Sequence, residues 1–123
     1  MKGFHRRASD VEANSIEEDW GWLHWLASGK LAQTDGLTVG RVLIKKGKSN
    51  PRHRHNLSEE VLHLLRGRLE HSVGEDKVVL EAGDTLRIPP GVFHNALSVG
   101  DEDAEMIVTY NTADRDFEKE ARG

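Results

Sequence analysis

The chain has 123 residues, 37% hydrophobic and 31% charged, with 12 glycines, 3 prolines, no cysteine and a formal charge of −4. That length holds one compact domain. Without cysteine there is no disulfide framework and no thiolate metal site, and no apolar run approaches the ~20 residues that span a bilayer. The acidic balance, with no nucleic-acid motif beside it, argues against nucleic acid and anionic lipid as partners. No apolar segment follows the basic start Lys2 to Arg7, so the expectation is a soluble, cytoplasmic protein.

Residues 1–19 are polar and lack a sustained apolar period, which predicts an N-terminal arm. Ser15 and Glu18 have the spacing of a capping box, but Gly21 stops any helix begun there. Trp20 and Trp22 would share one face of an extended segment and Trp25 the other, as a lid over a barrel end or a contact between two copies. From there, turn signals such as Asp35-Gly36, Gly47, Gly67, Gly83-Asp84 and Pro89-Pro90-Gly91 recur at short intervals. Between them, residues 37–44, 78–80, 85–88, 92–99 and 106–110 suit strands, the mark of a sandwich or barrel. The predicted division is an arm over 1–19, a barrel over 20–113 and a charged tail over 114–123, either a frayed helix or unordered.

Residues 57–66 have helical propensity, with Ser58 as a cap. A helix would set Glu60 and His63 at the Glu-x-x-His spacing of di-iron bundles, but the chain offers no second pair. The segment is therefore read as a strand, against its local preference.

Seven histidines are present, and position must separate ligands from the rest. His53 and His55, two apart on an extended segment, point their rings to one face. Glu59 and Glu60 follow after a short turn, and His94 follows the rigid Pro89-Pro90-Gly91. Three imidazoles and one of these carboxylates would converge if their strands were neighbours in one barrel.

Gly47, His53, His55, Glu60 and Gly67 keep the spacing G-x5-H-x-H-x4-E-x6-G, and Gly83, Pro89, Gly91 and His94 keep G-x5-P-x-G-x2-H. In these motifs the chain resembles the small single-domain cupins; only Ser98, where the second motif usually ends in asparagine, departs. The resemblance implies an all-β jelly-roll barrel with His53, His55, Glu60 and His94 as metal ligands, and it selects Glu60 over Glu59. It also implies a homodimer.

Imidazole and carboxylate without sulfur suit one divalent ion of Fe, Mn, Co, Ni or Zn. Such a set leaves about one positive charge and open positions for water, dioxygen or an anion. The expected function is therefore a metal-dependent enzyme for a small polar or anionic organic molecule. A dioxygenase-type oxidoreductase ranks first, and an isomerase, decarboxylase or lyase second. A non-catalytic metal- or ligand-binding module is the rival. Glu60 and His71 are the candidates for moving protons, and Arg41, Tyr110 and Trp22 for lining the substrate pocket.

Overall fold

A computed structural model describes residues 5–31 and 34–121. In chain order the elements are α1 (Ala8–Ala13), β1 (Ile16–Glu18), β2 (Gly21–Ala27), β3 (Thr38–Ile44), β4 (His53–Arg54) and β5 (Glu60–Arg66), followed by β6 (Arg68–Val73), β7 (Asp76–Glu81), β8 (Thr85–Ile88), β9 (His94–Ser98), β10 (Ala104–Tyr110) and β11 (Glu118–Lys119). They form two antiparallel sheets. The larger runs β1-β2-β3-β10-β5-β8 and the smaller β11-β4-β9-β6-β7. This is an all-β jelly-roll barrel.

Alternation decides what fills it. On β5, Glu60, Leu62 and Leu64 are buried while Val61, His63 and Leu65 face outward; β10 repeats the pattern with Ala104, Met106, Val108 and Tyr110 inward. These meet Val42 and Ile44 of β3 and, from the opposite sheet, Leu69, Leu80 and Ala96. Burying such side chains is worth roughly 1.5–3 kcal/mol each. That gain explains why 60–66 is a strand despite its helical preference, since a helix would turn the alternating leucines away from one face.

Both chain ends are more ordered than the sequence suggests. No helix starts at Ser15, as expected, but the polar arm holds α1 upstream and pairs Ile16–Glu18 with β2. The charged tail is neither helical nor unordered up to Ala121. It adds β11 beside β4 and ties itself down through Arg52–Glu120 and Arg54–Glu118 ion pairs at 2.7 and 2.6 Å. Ser98 keeps its motif turn: it is buried, and its backbone exchanges hydrogen bonds with Gly47 and Lys48.

Gly67, which turns β5 into β6, has φ +84, and a Cβ there would lie 2.7 Å from both Ala104 Cα and Asp103 O. Both obstacles are backbone and cannot rotate away. Gly67→Ala is therefore expected to destabilise the fold by about 2–4 kcal/mol, as strain at a positive φ adds to overpacking. Urea unfolding of the variant beside the wild type measures it.

Candidate metal centre

The two sheets bring the motif residues to one end of the barrel interior. His53 pairs with His94 across β4 and β9, and His55 follows β4 directly. Glu60 opens the inward face of β5 from the other sheet. All four are buried. One ring nitrogen from each of His53, His55 and His94 lies within 4.8 Å of the other two. Glu60 Oε1 stands 3.3 Å from both His55 Nε2 and His94 Nε2. Glu59, on the other face, instead pairs with Arg87 at the surface.

The backbone sets the tautomers. His53 Nδ1 donates to the Pro51 carbonyl at 2.6 Å, His55 Nδ1 to the Asp116 carbonyl at 2.6 Å, and His94 Nδ1 to the Val92 carbonyl at 2.9 Å. A carbonyl only accepts, so each neutral ring carries its hydrogen on Nδ1 and turns the Nε2 lone pair inward. Burial, with His94 adding to it, pulls the pKa of His53 down to about 3 and keeps the ring neutral. For Glu60, burial opposes the charge, and only a hydrogen on the facing nitrogen of His55 or His94, or a cation in its place, would outweigh burial and hold the carboxyl below the ordinary carboxylate range.

Despite those short distances, His55 Nε2, His94 Nε2 and Glu60 Oε1 have no hydrogen-bond partner of acceptable geometry. Buried polar atoms are rarely left so. Lone pairs and an anionic oxygen facing one another, with no hydrogen between them, are a donor set that a cation satisfies. The residues fit a divalent metal ion.

A cavity of about 660 Å³ opens from this point through the barrel, lined near the histidines by His71, Tyr110, Arg115 and Phe117. His71 lies almost parallel to His94, ring centres 5.9 Å apart, and donates Nδ1–H to the Ser72 carbonyl. Burial brings its pKa to about 4. Tyr110 is buried against His55, centroids 4.8 Å apart; burial first and Glu60 next raise its hydroxyl well above the ordinary value, so it remains a donor.

Arg41 and Trp22 do not line the cavity, contrary to expectation. Alternation along β3 turns Val42 and Ile44 inward and Arg41 outward, where it pairs with Glu105 at 2.6 Å. Trp22 is on the same outer face, stacked on His24 with Arg41 over its ring. Its neighbours Leu23 and Trp25 line the cavity instead.

Residues 40–110 match the family described as "Cupin domain". The chain belongs to the cupin family. Over 84 residues this cupin is 33% identical to germin-like protein 3-8 of Oryza sativa subsp. japonica, covering 64% of this chain and 37% of the relative. It is 31% identical over 87 residues to oxalate oxidase GF-2.8 of Triticum aestivum, covering 64% and 39%. The chain thus spans under half the length of these relatives. Among solved structures, a Bacillus subtilis oxalate decarboxylase superposes with TM-score 0.82 at 16% identity, covering 89% of this chain and 31% of that one. An oxalate oxidase superposes with TM-score 0.76 at 24% identity, covering 84% and 56%.

The part of this cupin's site that sequence reasoning missed lies in the tail. The Asp116 carboxylate accepts from the backbone N–H groups of Asn56 and Leu57 while its carbonyl orients His55. Phe117 stacks on His53 with centroids 4.6 Å apart. Arg115 lies over Trp25 at 4.4 Å and over Tyr110 at 5.5 Å. One signal was available: Phe117 is the lone aromatic residue in a ten-residue stretch, 114–123, that is otherwise mostly charged.

Proposed function

We propose that the chain is a metal-dependent enzyme acting on a small anionic organic molecule, with oxidation by dioxygen as its reaction. The observation that carries this reading is the set of buried, unpartnered atoms on His55, His94 and Glu60, with His53 neutral beside them. These four residues would hold the ion, identity unspecified among Fe, Mn, Co, Ni and Zn. When bound, it supplies a Lewis acid and, for iron or manganese, a meeting point for substrate and dioxygen.

The protein's own groups divide the remaining work. One carboxylate against a divalent ion leaves net positive charge in a buried site, which favours an anion. His71 offers a lone pair at Nε2 and resists protonation until negative charge develops beside it, as suits a transient proton acceptor. The Tyr110 hydroxyl, held protonated beside Glu60, is available as a hydrogen-bond donor. Leu62, Val108 and Phe117 line the cavity with apolar surface.

Decarboxylation is the second reading. It is supported by the likeness to oxalate decarboxylase, which superposes at least as well as oxalate oxidase.

The test is the protein loaded anaerobically with Fe(II) or Mn(II), followed by dioxygen uptake and carbon dioxide release over a panel of 2-oxo acids, oxalate, diketones and catechols. Uptake with at least one substrate is expected, and none with His53→Ala. Carbon dioxide release without uptake moves the assignment to the second reading. Neither signal from fully loaded protein overturns both in favour of a binding module.

A further inference from the structure

We propose that the cavity takes a monocarboxylate bearing an apolar group of aromatic size, with its carboxylate held between the metal centre and Arg115. This rests on the reading of the four-residue set as a metal site.

Arg115 is set apart from most of the chain's arginines. Arg41, Arg52, Arg54, Arg66, Arg68 and Arg87 all pair with carboxylates. Among the described residues, Arg115 has neither an ion pair nor a hydrogen bond. It lies instead on the rings of Trp25, Tyr110 and Phe117, at 4.4, 5.5 and 5.5 Å. Those rings hold the planar guanidinium without satisfying its N–H groups, leaving an oriented fork for a carboxylate. Tyr110 and Phe117 also touch the metal-binding histidines: Tyr110 packs on His55 and Phe117 on His53. Arg115 therefore stands at the metal end of the cavity.

The strand register orders the rest. Tyr110 pairs with Glu60 at that end. Next come Val108 and Leu62, level with Gly40 and Trp25, and then Met106, level with Val42 and Leu23. Glu18 pairs with Gly21, level with Ile44, and so lies at the far end, where it and Asp19 line the rim. The cavity thus runs from positive charge, through an apolar middle, to an acidic mouth. Oxalate has no apolar surface to place against Trp25, Val108, Met106 and Leu23, whereas a carboxylate with a hydrocarbon body uses both parts. A second carboxylate on a long body would meet Glu18 and Asp19.

The test uses Mn(II)-loaded protein titrated by calorimetry with hydrocinnamate, propanoate, oxalate and the neutral hydrocinnamyl alcohol. Hydrocinnamate is expected to bind at least ~10-fold tighter than propanoate or oxalate, since only it buries an aromatic body. Arg115→Gln is expected to weaken hydrocinnamate by about 10- to 100-fold, the loss of a charge-assisted hydrogen bond. The same change should leave metal content and alcohol binding unchanged, and Arg115→Lys should recover part of the loss. If fully loaded protein binds oxalate as tightly as hydrocinnamate, or Arg115→Gln binds hydrocinnamate like the wild type, this inference fails while the metal reading stands. If the wild type takes up no metal, the metal reading fails and this inference with it.

Discussion

Replacing His53 with alanine, or Glu60 with glutamine, is expected to reduce divalent metal affinity by more than the ~100-fold that loss of an outer-shell partner costs. Under the proposed function both remove a group that would meet the ion itself. The two substitutions act differently on the empty fold. His53→Ala deletes a buried ring that stacks on Phe117 and lies 4.4 Å from the His94 ring, so it also weakens the tail. Glu60→Gln keeps the volume and removes the charge that leaves His55 Nε2 and His94 Nε2 facing an anion. Its metal-free form is therefore expected to melt close to the wild type. At about 1,000 times its dissociation constant, a bound ion adds roughly 4 kcal/mol of stability. Melting curves with and without Mn(II), together with metal content after dialysis, should show a large rise in Tm for the wild type and almost none for either variant. Full metal retention by both variants would sink the assignment of these ligands.

The tail's part in this centre bears on how much of the protein could be read in its sequence. The barrel was legible because its signals are local: glycine and proline turns divide strands whose inward residues alternate. The candidate ligand set was legible because two fixed spacings carry all four side chains that the fold brings together. Arg41 and Trp22 were misplaced for the opposite reason. Each lies on a strand, and only the inward register of Val42 and Leu23 decides the face. That register comes from packing against β10. Arg115, Asp116 and Phe117 were missed because a run of charged residues gives no sign that its backbone will pair with β4. What holds the tail is spread across the molecule, in Arg52, Arg54, Asn56 and Leu57. Together these contacts give His55 a hydrogen-bond acceptor sixty-one residues away.

Acid is expected to destabilise the metal-free protein steeply, over a window that His53 and His71 define. Both rings are buried neutral, with pKa near 3 and near 4 against an ordinary 6.5. Between pH 6.5 and those values the unfolded chain binds protons that the folded chain does not. Stability therefore rises with pH across that interval and falls as pH is lowered through it. Each unit of depression is worth about 1.4 kcal/mol, so on the order of 5 kcal/mol should disappear between pH 7 and pH 4, comparable to the whole stability of a small domain. A bound ion extends the effect, since protons compete with it for the same lone pairs. Tm measured from pH 8 to pH 4 in chelator-treated protein tests this. His71→Phe, which keeps an aromatic ring but cannot titrate, should flatten the lower part of the curve, whereas an unchanged slope in that variant would show that His71 is not among the groups responsible.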